Sequence, residues 1–234
     1  MNITPTPGNE AGRLEALRAY HILDTAPEHA YDDVTQMAAF ICGAPIALMT
    51  CVDTNRLWFK SRVGLDVPEI PREQAFCAYT ILNTEPMEVE DTTKDERFAS
   101  NPTVTNAPNI RFYAGAPLVT PDGHAVGSLC VLDQHPRKLR GEQKSSLEKL
   151  ARIIITHMEF RRVSRDLAAA AASIKTLSGI VPICASCKQI RNDQGYWQQV
   201  EAYLATHTEA KFSHSYCPTC VKIYLPETET GTGS

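Results

Sequence analysis

The 234-residue sequence predicts an α+β domain built on an antiparallel sheet, followed by a long helix and a small cysteine-rich module. Three observations carry this. Helical patterns come first, then apolar strand runs joined by hairpin turns, and then a helix, an order that gives an antiparallel sheet with helices against it rather than alternating parallel units. From about Gly141 to Ser178 there is neither proline nor internal glycine. The last quarter holds two cysteine pairs of identical spacing, Cys184-Ala-Ser-Cys187 and Cys217-Pro-Thr-Cys220.

Residues 1–9, with Pro5, Pro7 and Gly8, read as disordered. Leu14, Leu17 and Ile22 suggest a short amphipathic helix from about Glu10 to Tyr20. Asp24-Thr25-Ala26-Pro27 is a turn and helix start, and proline is favoured at the first helical position. Val34, Met37, Ala38 and Ile41 share a face of that helix, which Gly43 ends. Ile46 to Val52 is a buried strand, Asp53-Thr54-Asn55 a turn, and Leu57 to Ser61 the return strand. Glu73 to Asn83 reads as a helix carrying Phe76, Cys77 and Ile81, and Met87 to Glu90 as a short strand. The polar stretch Asp91 to Asn109 predicts an irregular crossing with a helical turn near Glu96–Ser100. Phe112–Val119 and Ala125–Leu132 are strands flanking Pro121-Asp122-Gly123, which is turn chemistry.

The helix of residues 141–179 spans about 55 Å at 1.5 Å per residue. Leu147, Leu150, Ile154 and Met158 suit packing on the sheet domain. A second register, Ile153, Thr156, Phe160, Val163, Leu167, Ala170, Ile174 and Leu177, alternates spacings of three and four. That is a coiled-coil seam, and it predicts a parallel homodimer. The alternative is packing of the same stripe on the chain's own cysteine module.

Two residues between cysteines let both thiolates point at one ion, and two such pairs supply the four soft ligands of a closed, structural zinc site. Redox-active or disulfide pairs are the alternative. No basic start with an apolar core opens the chain, and no run reaches the ~18 apolar residues of a membrane span, so a cytoplasmic protein is expected, where paired thiols favour metal. Tyr196-Trp197 closes a hairpin turned at Asn192–Gly195, a helix follows to His207, Phe212 to Tyr216 alternates like a strand, and the second pair opens a last helix. Residues 180–225 thus resemble a treble clef with a thin core that bound zinc would help to fold. His214 is a further candidate ligand or neighbour of the site, and residues 226–234 form a tail. Net charge is −9 over residues 1–136, +6 over 137–179 and −1 over 180–234. A near-neutral cysteine module argues against nucleic-acid binding, which needs a basic face.

The first 160 residues resemble the bacterial GAF sensor family. The resemblance rests on Arg13–Leu17, Ile22-Leu23-Asp24-Thr25-Ala26-Pro27-Glu28, Ile41–Leu48, Trp58-Phe59-Lys60-Ser61, Ala75-Phe76-Cys77, Arg97–Pro102, Ile110–Leu118 and Gly127–Asp133. It assigns residues 10–140 to the sensor domain, and it implies a central sheet of about six strands, helices behind it and a ligand pocket in front. The tail from Cys184 to Cys220 resembles a cysteine-rich extension of bacterial signalling proteins. Trp58, Phe76, Cys77, Tyr79, Arg111 and Tyr113 are the candidate pocket residues, suited to a small planar or anionic ligand. No histidine follows Cys77 as in bilin-linking domains, and neither His124 nor His135 is placed to ligate haem. The implied function is non-catalytic signal transduction, in which a ligand or redox state sensed in the pocket passes through the dimeric helix to a zinc-stabilised module that meets an unknown signalling partner. Two alternatives remain: a thiol-dependent reductase of free methionine sulfoxide using Cys77 and Cys130, and a zinc-dependent nucleic-acid binder using the basic helix.

Overall fold

The computed structural model describes residues 5–173, 181–192, 194–207 and 211–224, with the backbone alone at 172, 173 and 222. The chain divides into two compact units at Leu167 and Ala168.

The first unit opens with α1 (Glu10–Ala19), capped by the Asn9 side chain, and α2 (His29–Cys42), ended by Gly43 in the left-handed conformation. The strands are β1 (Ile46–Val52), β2 (Arg56–Val63), β3 (Glu69–Pro71), β4 (Met87–Val89), β5 (Phe112–Val119) and β6 (Ala125–Asp133). They form one antiparallel sheet in the order β3-β2-β1-β6-β5-β4. Between β3 and β4 lie a 3-10 turn (Arg72–Gln74) and the one-turn helix α3 (Cys77–Thr80). Between β4 and β5 lies α4 (Pro102–Thr105), and α5 (Gly141–Ser173) follows β6.

The six-stranded sheet and flanking helices are those the sequence implies, with local differences. The helix expected over 73–83 is broken, because Ala75 is extended (φ −89°, ψ 121°). The turn expected near Glu96–Ser100 forms, with the Phe98 and Ala99 N–H groups on the Asp95 carbonyl, and α4 follows it, where the Asn101 side chain accepts the Thr103 N–H and Pro102 occupies the first turn. β3 was not anticipated, since Pro68 and Pro71 bracket its two other residues and proline demotes a strand pattern.

Because successive strand residues face opposite ways, the sheet separates two cores. One lies under α1, α2 and α5 and includes Leu17, Tyr31, Ala47, Met49, Trp58, Phe112, Leu147, Leu150, Ile154 and Met158. The other lies under α3, α4 and the crossing segments and includes Leu48, Leu57, Phe59, Phe76, Cys77, Phe98, Tyr113, Cys130 and Leu132.

The β1–β2 ladder slips between Met49 and Thr50, which pair with Ser61 and Phe59, so that Lys60 is the extra residue of a bulge. Its fully buried ammonium donates to Thr25 Oγ1 (2.7 Å), the Ala26 carbonyl (2.6 Å) and Glu28 Oε1 (2.6 Å). Glu28 also pairs with Arg161 of α5 at 3.0 Å. Arg56 grips Asp24 with two hydrogen bonds of 2.9 and 2.7 Å. Two separated sequence motifs, Asp24–Glu28 and Trp58–Ser61, are therefore one contact in space. Arg13, 1 % exposed, donates to the Val52 carbonyl and forms a bidentate pair with Glu10, which Arg72 also meets.

The second unit carries β7 (Ile190–Arg191) and β8 (Trp197–Gln198) in an antiparallel hairpin, then α6 (Val200–His207) and α7 (Pro218–Tyr224). Asn192 Oδ1 accepts the N–H groups of Gln194 and Tyr196, closing the hairpin turn. The strand expected at Phe212–Tyr216 does not form, as that segment makes no ladder. Among the described residues of this unit only Ile190 and Tyr203 are buried.

Candidate functional site

A cavity of about 250 Å³ lies on the sheet face away from α1, α2 and α5. Strand alternation supplies Leu48, Leu57, Phe59, Tyr113, Cys130 and Leu132, and the broken segment running into α3 supplies Gln74, Phe76 and Cys77. Leu65, Val67, Ile70, Pro108 and Ile110 complete the wall. No basic or acidic side chain is in this lining. A larger hollow of about 570 Å³ lies between α5 and the β5–β6 hairpin, but Glu148, Arg152 and turn residues line it and nothing encloses it comparably.

Three of the six candidate pocket residues meet here. Phe76 stacks on Tyr113 with centroids 5.2 Å apart and planes 19° apart. The Tyr113 hydroxyl is 2.6 Å from Thr80 Oγ1 and donates to Cys77 Sγ at 3.5 Å. The break at Ala75 explains Phe76 and Cys77. Residues 75–78, 80 and 81 are all buried, which the single apolar stripe of a surface helix cannot achieve.

The other three lie outside it. Trp58 faces the helical layer, because it alternates with Leu57 and Phe59, which face the cavity. Tyr79 packs edge-on against Phe98 and below Arg97. Arg111 donates to the carbonyls of Val104 (2.8 Å) and Ile110 (3.1 Å), pinning the crossing segment. The cavity is therefore apolar and uncharged, and the planar or anionic ligand expected beside Arg111 lacks its cation. Leu48, Phe59 and Leu132 were missed, although every second residue of the predicted strands marks them.

Cys77 and Cys130 come together, with their sulfurs 3.8 Å apart. Burial disfavours the Cys77 thiolate, but hydrogen bonds from Cys130, Ser128, Thr50 and Tyr113 outweigh it and make Cys77 the more acidic of the two. Burial and the neighbouring Cys77 raise Cys130.

In the second unit each cysteine pair sits in a tight turn of backbone N–H groups. The backbone N–H groups of Cys187, Ser186 and Lys188 converge on Cys184 and lower its pKa. Lys188 turns left-handed (φ +63°), and its N–H meets the Cys184 carbonyl at 3.1 Å. Cys217 receives the N–H groups of Cys220 and Thr219 at the start of α7, which also lower its pKa. Among the described residues, however, no three Cys, His, Asp or Glu side chains gather as a ligand set, so Cys184 and Cys187 stand apart from Cys217 and Cys220 as separate pairs, and His214 joins neither.

On α5, Ile153, Phe160, Val163 and Leu167 of the expected seam are exposed. Ile174 and Leu177 lie outside the described residues. No described helix is long and apolar enough to cross a membrane.

A six-stranded antiparallel sheet with helices on one face and an apolar cavity on the other is the architecture of this α+β domain. The GAF domain profile matches residues 26–158, more than half of the chain, and the protein belongs to that family. A cyclic di-GMP phosphodiesterase of Pseudomonas aeruginosa is 38 % identical over 163 residues, 69 % of this chain. The chain spans only 28 % of that protein. The GAF domain of an Acinetobacter phosphoenolpyruvate-protein phosphotransferase aligns at a TM-score of 0.47, with 16 % identity over 75 % of this chain and 99 % of that one. A free methionine-R-sulfoxide reductase of Neisseria meningitidis aligns at 0.46, with 18 % identity over 70 % of this chain and 99 % of that one.

Proposed function

We propose that this chain is a non-catalytic, cytosolic signal-transduction protein whose GAF domain binds a small, neutral, largely apolar molecule or reports redox state. The observation that carries this reading is the apolar cavity, whose wall strand β2 also holds Glu28, the partner of Arg161 on α5. A cavity of this size and lining favours apolar burial with one or two hydrogen bonds, here from Tyr113 and Gln74. Output runs along α5. Its exposed Ile153, Phe160, Val163 and Leu167 support a parallel homodimer, in which a and d side chains leave water. The cysteine module is the contact for a signalling partner, with zinc held by Cys184, Cys187, Cys217 and Cys220. The two pairs support that ligand set, and bringing them together is the work left to the metal.

Native mass spectrometry of the intact protein tests the scheme in one measurement. The expected species is a dimer carrying one zinc per chain and a retained small molecule of the cavity's size. A monomer at micromolar concentration, with nothing retained and no competition by apolar probes for the cavity, would overturn it.

A further inference from the structure

We propose that Cys77 and Cys130 form a reversible redox site on the cavity wall, closed to a disulfide by a small hydroperoxide that enters the cavity. The pair joins a helix to a strand and is 53 residues apart in sequence, with Cys77 opening α3 and Cys130 in the middle of β6. Both sulfurs border the cavity, which gives a small uncharged oxidant a route to otherwise buried thiols. A disulfide needs sulfurs about 2.05 Å apart, so the observed 3.8 Å closes with a combined movement of about 1.8 Å. The surroundings are unlike those of a structural buried cysteine. The Tyr113 hydroxyl donates to Cys77 Sγ at 3.5 Å, in a lining that is otherwise mostly apolar. A donor aimed at sulfur stabilises the thiolate, the form that attacks peroxide.

The chemistry balances as follows. The Cys77 thiolate attacks one peroxide oxygen, the O–O bond breaks, and the alkoxide leaves as the alcohol after taking a proton, which leaves Cys77 as the sulfenic acid. Cys130 then attacks the Cys77 sulfur, loses its proton and expels water. Two thiols lose two electrons, and the hydroperoxide is reduced to alcohol and water. A dithiol reductant reverses the bond by exchange. Closure draws α3 towards β6 and takes Cys77 from the Tyr113 hydroxyl, so the oxidised cavity has a different wall from the reduced one. The other two cysteines of this domain, Cys42 and Cys51, lie on the opposite face of the sheet and have no part in this site.

The test is peptide mapping of the full-length reduced protein after brief exposure to hydrogen peroxide, with remaining thiols alkylated in denaturant. The expected product is a cross-linked peptide joining Cys77 to Cys130, about 2 Da lighter than the two reduced peptides together, and lost on dithiothreitol treatment. Cys184, Cys187, Cys217 and Cys220 report in the same digest whether oxidant was sufficient. If those four oxidise while Cys77 and Cys130 are both alkylated, the proposal fails. The variant Cys130→Ala should halt at the sulfenic acid, captured on Cys77 by a 1,3-dione. If that variant misfolds, the wild-type map still decides. A cross-link from Cys77 only to other cysteines would also overturn the proposal.

Discussion

Replacing Gly115 with alanine should collapse the polar edge of the cavity. Gly115 is on the cavity side of β5, two residues from Tyr113, whose ring lies flat across it. A Cβ on Gly115 would stand 2.7 Å from Tyr113 Cζ and 3.1 Å from Cε1, and closer still to the hydroxyl oxygen. Tyr113 is fully buried between Phe76 and Thr80, so the ring cannot move aside without leaving the Phe76 stack and the 2.6 Å hydrogen bond to Thr80. Overpacking of this kind costs about 1–3 kcal/mol, and an orphaned buried hydroxyl adds about 1–2 kcal/mol. Urea unfolding should show Gly115→Ala destabilised by about 3 kcal/mol. In a Tyr113→Phe background the closest clash is gone and the hydrogen bond is already lost. The double variant should therefore be about 1 kcal/mol more stable than the sum of the single changes requires. A Gly115→Ala protein within 0.5 kcal/mol of wild type, or strictly additive effects, would refute the packing argument.

Lys60→Met keeps the stem but removes the donor to Thr25, Ala26 and Glu28, and should cost about 3 kcal/mol by urea unfolding, with Arg161 moderating the loss at Glu28. Burial raises the Glu10 carboxyl, but Arg13 and Arg72 outweigh it and hold the pKa at about 2, against an ordinary 4.5. The stabilisation is therefore full above about pH 4.5 and lost as pH falls towards 2, with a ceiling of about 3 kcal/mol that partial exposure reduces to about 1–2 kcal/mol. Glu10→Gln should be less stable than wild type at pH 7 and equal to it near pH 2 in thermal melts. Removing metal with a chelator should abolish amide protection in α6 and leave β1, β5 and β6 protected in hydrogen exchange, whereas unchanged α6 protection would argue against zinc.

The sheet domain was legible because its strands are apolar and joined by turn residues, as at Asp53–Asn55 and Pro121–Gly123. Gly141–Ser173 was legible from the absence of proline and internal glycine. What sequence did not show depends on context that no window contains. The fully buried run around Phe76 has no period, so it reads as helix although the chain breaks at Ala75. Trp58 and Phe59 are neighbours in sequence, and only the sheet assigns them to opposite cores. Arg111 reads as a ligand cation until the carbonyls of Val104 and Ile110 are seen to use it. The approach of Cys77 to Cys130 comes from α3 crossing over β6, a tertiary fact with no local signal. The cysteine spacing exposed each pair and its turn, but spacing says nothing of the distance between pairs.

The single inserted residue in β2 has a mechanical meaning. A regular strand must give neighbouring residues to opposite layers in strict turn. Here Phe59 bounds the space where a guest would sit, while the next two side chains, Lys60 and Ser61, both hold the far layer through Glu28 and Asp32. A guest that pushes Phe59 outward thus tugs on the clasp at Glu28 one peptide away, and Arg161 rides on that clasp. In the proposed scheme, entry and exit of the message would be adjacent along the chain although a sheet stands between them.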